Sequence, residues 1–142
     1  ETGMSPHDLE LELTESAAMP NLEYSIKTLQ ALQDMGVNIS IDDFGTGFSS
    51  LSHLQKMPID TIKIDRSFVM DTPGDPDDMA IVEAIIAMAK SLNLNIVAEG
   101  IETQQQLDYL HQAGCHIGQG YLLFKPLNFA DLTRLLESRK ST

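Results

Sequence analysis

The sequence predicts an α/β fold built on a parallel sheet, and three observations predict it. One unit recurs along the chain: a short apolar strand, a polar loop, then an amphipathic helix. Runs such as Ile96-Val97-Ala98 are apolar at successive positions, the pattern of a strand buried on both faces. A helix end that turns into a strand is written twice, as Leu32-Gln-Asp-Met-Gly36 and as Leu110-His-Gln-Ala-Gly114. Strands that alternate with helices imply parallel pairing through right-handed crossovers.

The elements follow in order. Leu9 to Leu13 reads as a strand. A helix from about Asn21 to Met35 is expected to bury Tyr24, Leu29, Leu32 and Met35, with Gly36 suited to its C-terminal end. Val37 to Ile41 is the next strand. It leads into the loop Gly45-Thr46-Gly47-Phe48-Ser49-Ser50 and a short helix near Ser50 to Met57. Ile59 to Ile64 is a third strand. A loop rich in Pro, Gly and Asp then opens a strong helix, Asp77 to Leu92, whose acidic start suits an N-terminus. Leu94 to Ala98 is a fourth strand. Thr103 with Gln106 predicts a capping box for the next helix, which Gly114 ends. A last strand near Cys115 to Leu123 precedes Pro126 and a final helix, Phe129 to Glu137. The opening Glu1-Thr2-Gly3-Met4 resembles a third copy of the helix end, so the chain is expected to open inside a fold, at the tail of a helix.

The 142 residues, 42% of them hydrophobic, suffice for one modest core. No apolar run is long enough to span a bilayer, and no signal peptide is visible. The single cysteine, Cys115, excludes an internal disulfide and a multi-cysteine zinc site, and fits a reducing compartment. The net charge of -12 argues against binding to DNA, RNA or acidic membranes. A small phosphate substrate remains open, provided cations offset the carboxylates. The seven methionines read as gap-filling core, Met35, Met79 and Met88 among them. His7, His53, His111 and His116 lack metal-ligand spacing.

The acidic residues carry the most information. Glu12 and Glu15 close the first strand, Asp42 and Asp43 the second, Lys63 and Asp65 the third, Glu99 and Glu102 the fourth. One acidic residue after a strand is most often a helix cap. Four consecutive strands that deliver ionisable groups at their C-terminal ends mark the edge where parallel α/β folds and (β/α)8 barrels bind ligands. Converging carboxylates repel one another unless cations hold them. Thiolate-free oxygen ligands favour Mg2+, Mn2+ or Ca2+. Neighbours on a strand point to opposite sides, so Asp42 and Asp43 act together only if the backbone bends at the strand end. Two metals about 3.5–4 Å apart would then serve phosphodiester hydrolysis.

Five motifs stand in order: Leu11-Glu-Leu-Thr-Glu15, Asp42-Asp-Phe-Gly-Thr-Gly47, Lys63-Ile-Asp65, Ala98-Glu-Gly-Ile-Glu102, and Gly118-Gln-Gly-Tyr121 through Lys125-Pro126. Together they resemble the EAL family of cyclic di-GMP phosphodiesterases, from the first residues to about Glu137. The resemblance implies a TIM-like (β/α) barrel, of which this chain holds about five of the eight strand-helix units, with residues 1–142 forming the C-terminal part of a single domain. It implies hydrolysis of cyclic di-GMP to linear pGpG with two divalent ions, Mg2+ or Mn2+. Carried over by motif, Glu12 and Asp42 resemble ligands of the first metal, and Asp42 and Asp43 those of the second. Asp65 resembles a nearby metal-site carboxylate. Lys63 resembles the lysine that positions or polarises the attacking water, and Glu99 the general base or holder of that water. Glu15 resembles the anchor of the Asp-Asp-Phe-Gly loop, which couples the site to a dimer interface. Glu102 and Gln119 resemble groups that stand behind the metal ligands or on the substrate side.

The Glu-Ala-Leu motif and the family's asparagine ligand are absent from these residues, as is the arginine that meets the substrate phosphate. The isolated chain is therefore expected to be inactive and, as a monomer, poorly stable, pairing as a homodimer or with the missing segment. A degenerate domain that binds cyclic di-GMP without cutting it, or that serves as an interaction or dimerisation module, stays open. A cytoplasmic site is expected, with any membrane anchor in other domains of the parent and no membrane contact by this chain.

Overall fold

A computed structural model describes residues 3–18, 20–46 and 51–140, residues 51 and 140 without their side chains. After a single 3-10 turn at Pro6–Asp8 come β1 (Glu10–Thr14), α1 (Glu15–Ala18) and α2 (Leu22–Asp34). Next are β2 (Asn38–Phe44), α3 (Leu51–Leu54), β3 (Thr61–Ile64), α4 (Arg66–Val69) and α5 (Pro76–Ser91). The chain ends with β4 (Asn95–Ala98), α6 (Gln104–Ala113), β5 (Ile117–Gly118) and α7 (Phe129–Lys140).

The five strands form one parallel sheet in the order β1-β2-β3-β4-β5. A strictly sequential order with crossovers of one hand places the connecting helices on one face, as in a barrel wall; a doubly wound sheet would reverse its order. Alternation along the strands then sorts the side chains. Ile39, Ile41, Ile62, Ile64, Ile96 and Ala98 are buried in the core that the helices cover. The alternate row carries Glu12, Ser40 and Thr61 in register, with Lys63 beside Val97 one step further on. The strands are thus apolar toward the helices and largely polar on the other face. The run Ile96-Val97-Ala98 is apolar on both faces as expected, whereas β2 and β3 carry Ser40, Thr61 and Lys63 on the second face.

Several expectations shift. Tyr24 and Met35 are 67% and 65% exposed, not buried. Leu22, Ile26, Leu29 and Leu32 make the stripe of α2 that meets the core, and at 100° per residue Tyr24 stands about 200° around the helix from Leu22. The last strand shrinks from Cys115–Leu123 to Ile117–Gly118, because the amides of Leu123 and Phe124 turn back onto the Gly120 carbonyl. The short helices α1 and α4 were not anticipated. Gly47, Phe48, Ser49 and Ser50 of the glycine-serine loop lie outside the described residues, as do Glu1 and Thr2.

The capping box of α6 forms as expected. The Gln106 amide donates to the Thr103 hydroxyl at 3.2 Å, and Gln106 Oε1 accepts from the amides of Thr103 and Glu102 at 2.9 and 2.8 Å. Gly114 closes the helix in the left-handed region, φ 96°. Thr103→Ala is expected to cost about 1 kcal/mol, lowering the melting temperature by about 4 °C. Thermal unfolding followed by circular dichroism measures it.

β1 and β5 each pair on one side only among the described residues. Beside β5, Ile117, Tyr121, Phe124 and Leu127 are exposed. No helix among the described residues is long and apolar enough to cross a membrane.

Candidate metal centre

The C-terminal ends of β1 to β4 bring their ionisable groups to one edge of the sheet. β2 and β3 pair Ile41 with Ile62 and then Phe44 with Ile64, so β2 carries one residue more than its partner between these points. The bulge residue is Asp43, at φ 54°, a left-handed conformation that Asp tolerates better than most residues. The extra residue has two results. Phe44 keeps its place in the core, and the Asp43 carboxylate joins that of Asp42 instead of pointing away from it. Asp42, Asp43 and Glu99 each offer an oxygen within 4.8 Å of the others.

Lys63 is the cation of this edge, 5% exposed at the third position of β3. Its ammonium donates to Glu12 Oε1 at 2.6 Å and lies 2.6 Å from Glu99 Oε1 and 3.5 Å from Asp42 Oδ1. Burial works to lower its pKa, but the hydrogen bonds and charges of Glu12, Glu99 and Asp42 outweigh that and raise it, so the side chain stays charged. Burial raises Glu99, partly countered by Lys63. Asp43 is raised by burial, then by the Asp42 charge and by a carboxyl contact with Asp65. Asp65 moves the other way: burial opposes it, but the hydroxyl and amide of Ser67 hold it down. Its Oδ1 also caps α4 through the Ser67 amide, at 2.8 Å.

The remaining expected residues take different places. Glu12 reaches the cluster through Lys63 and is not one of the three converging carboxylates. Glu15 is buried, and its Oε2 accepts the Gly45 amide at 3.3 Å, tying α1 to the turn after Asp43. Gly45 itself sits at φ 101°, where a Cβ would come 2.8 Å from the Phe68 ring. Glu15→Ala is expected to cost about 1–3 kcal/mol by removing a buried acceptor and its charge-assisted bond to that amide, while Glu15→Gln, which keeps an acceptor, costs less. Melting curves of the two variants test the order. Glu102 pairs with Arg66 Nη2 at 2.8 Å. Gln119 is exposed and lines a cleft of about 220 Å³ with Arg66, Glu99, Gly100, Glu102, Gly120 and Tyr121.

Sequence reasoning passed over Arg66, although a cation directly after Lys63-Ile-Asp65 in so acidic a chain was a usable signal. It also passed over Ser40 and Thr61, polar residues two before Asp42 and Lys63 and therefore on their side of the sheet. Both are buried, and Ser40 Oγ finds no hydrogen-bond partner among the described residues.

Oxygen-only donors, three of them converging within 4.8 Å, fit a hard divalent ion. The fold and site together define a barrel-type α/β domain with a carboxylate cluster able to hold a metal ion. The chain belongs to the EAL domain family, which it matches over residues 1–126. It is 49% identical over 138 residues to "Cyclic di-GMP phosphodiesterase NbdA" of Pseudomonas aeruginosa, covering 97% of this chain and 18% of that protein. It is 50% identical over 124 residues to "Bifunctional diguanylate cyclase/cyclic di-GMP phosphodiesterase MucR" of the same organism, covering 87% of this chain and 18% of that protein. A solved PaMucR phosphodiesterase in complex with c-di-GMP superposes at a TM-score of 0.88 and 49% identity, over 91% of this chain and 52% of that one. BlrP1 of Klebsiella pneumoniae, solved with manganese and c-di-GMP, gives 0.79 at 34% identity, over 84% of this chain and 31% of that one. The chain therefore spans a fifth or less of these curated relatives and about half of the PaMucR structure.

Proposed function

We propose that this chain supplies the C-terminal part of a single barrel domain that hydrolyses cyclic di-GMP to linear pGpG. The observation that carries the reading is the convergence of Asp42, Asp43 and Glu99 beside a buried, charged Lys63 at the C-terminal edge of the sheet. Asp42 and Asp43, with Glu12 and Asp65 at either side, would hold two divalent ions, Mg2+ or Mn2+. Such ions activate a water and stabilise the leaving oxygen of a phosphodiester. Lys63 orients that water and offsets the charge growing on phosphorus. Glu99 takes the proton as the water oxygen bonds to phosphorus and the bond to a ribose 3′ oxygen breaks. Glu102 and Gln119 line the cleft on the substrate side, and Glu15 anchors the turn that carries the two aspartates.

The test is a cyclic di-GMP hydrolysis assay on the whole domain with Mg2+ or Mn2+. Conversion to pGpG that EDTA abolishes and added metal restores is the expected result. Tight binding without hydrolysis would instead identify a receptor. The 142 residues alone are expected to show negligible turnover, because an open sheet does not preorganise a barrel site.

A homodimer belongs to this reading, supported by the exposed apolar residues beside β5 and checked by size exclusion. The site is proposed to face the cytoplasm, a compartment that keeps a lone thiol such as Cys115 reduced.

A further inference from the structure

The loops that follow β4 and β5 are joined by backbone hydrogen bonds. The Gln119 amide donates to the Ala98 carbonyl at 2.8 Å, the Ile101 amide to the Gln119 carbonyl at 3.1 Å, and the Leu122 amide to the Ile101 carbonyl at 3.0 Å. These bonds extend the pairing of Val97 with Ile117 and Ala98 with Gly118 beyond the strands. They grip the segment that carries Glu99 and Glu102.

Gly120 lies at the centre of that grip. A Cβ there would fall far inside van der Waals contact with the Ile101 amide nitrogen and carbonyl oxygen, and 2.7 Å from its carbonyl carbon. Every obstacle is backbone, so no side-chain rotation relieves it. Gly120 is not among the glycines in the left-handed region, so the demand is for space alone. Gly118, two residues earlier, faces a different obstacle: a Cβ there would come 2.5 Å from the terminal methyl of the buried Ile101 side chain, an atom that a small side-chain shift displaces without moving backbone. On the far side of the same loop the Arg66 stem packs against Gly100, which limits how far the segment can retreat.

We infer that Gly120 is a positioning residue for the reaction: by letting one loop backbone rest directly on Ile101, it fixes the Glu99 carboxylate opposite Lys63. The inference rests on the phosphodiesterase reading above. Any side chain at Gly120 moves Ile101, two residues from Glu99, and a shift on the order of 1 Å in a reacting group costs about 10²-fold in rate.

The test compares wild type, Gly118→Ala and Gly120→Ala in the whole domain. Gly120→Ala is expected to lower kcat about 10²-fold with KM changed far less, while Gly118→Ala stays within about 3-fold of wild type. Amide exchange reads the cause directly. Protection at Ile101 and Leu122 should fall at least about tenfold in Gly120→Ala, with Ile62 and Ile64 of the central strand unchanged. An active wild type matched by Gly120→Ala overturns the inference, as does loss of protection throughout β3, which would mark a merely structural role. Should Gly120→Ala not fold, wild type still decides: Ile101, Gln119 and Leu122 should exchange through one shared opening, and unequal, independent rates overturn the inference. An inactive wild type defeats the phosphodiesterase reading and leaves the exchange result standing as a separate outcome.

Discussion

Lys63→Met is expected to reduce cyclic di-GMP hydrolysis by the whole domain about 10³-fold, the upper range for removing one preorganised charge donor. The reason lies in its neighbours. Three carboxylates, Glu12, Asp42 and Glu99, share one ammonium that is almost fully enclosed. Methionine preserves the length and apolar character of the stem, so the packing of β3 is retained. The freed carboxylates are not stranded: their side chains keep 50%, 24% and 17% of their exposure and can take up water. The cost to stability should therefore fall well below the about 3–5 kcal/mol of breaking a fully buried pair. Divalent-ion affinity should rise, because the ammonium competes for the same oxygens. Arginine is not a substitute, since its planar fork presents its donors in a different geometry from a single ammonium. Steady-state kinetics beside a Mn2+ titration separates these effects. A Lys63→Met domain that keeps a tenth of its activity would leave Lys63 a structural counter-charge and nothing more.

Asp43→Asn should split stability from ion binding. The carboxylate of Asp43 is held near those of Asp42 and Asp65, and its pKa is raised by burial first and then by the charge of Asp42 and by Asp65. Asparagine is nearly isosteric and tolerates the left-handed backbone at φ 54° as aspartate does. Removing the charge therefore relieves repulsion without disturbing the bulge, and the metal-free protein should melt at a higher temperature than wild type. With an ion present the order reverses. At an ion concentration a hundredfold above its Kd, wild type gains about 2.7 kcal/mol, near 11 °C for a chain of this size. A 10–100-fold loss of affinity in Asp43→Asn would cut that gain to about 0.4–1.4 kcal/mol. Thermal melts with EDTA and with Mn2+ show both halves. Equal ion-induced shifts in the two proteins would remove Asp43 from the ligand set.

The strands and most helices were readable because their signals are local. Thr103 and Gln106 cap α6 through bonds spanning a few residues, and Gly114 ends it through its own backbone conformation. Where tertiary context intervened, the reading slipped. Tyr24 and Met35 are apolar, but only contact with the sheet could decide which stripe of α2 is buried. The last strand looked long because its residues from Cys115 to Leu123 include five apolar ones, yet the chain turns after Gly120, whose carbonyl takes the amides of Leu123 and Phe124. Arg66 escaped notice because its partner, Glu102, is 36 residues away.

The sequence by itself determined which carboxylates and which lysine sit at strand ends, since strand periodicity and turn chemistry are written in neighbouring residues. Only the tertiary structure decided which of them converge. Adjacent strand residues must point apart, so Asp42 and Asp43 meet only through a bulge defined by the register of β2 against β3. Lys63 and Glu12 are 51 residues apart and meet only because their strands flank β2 in a sequentially ordered sheet. Register and strand order are properties of pairing between distant segments, and pairing is where a one-dimensional pattern stops carrying the information.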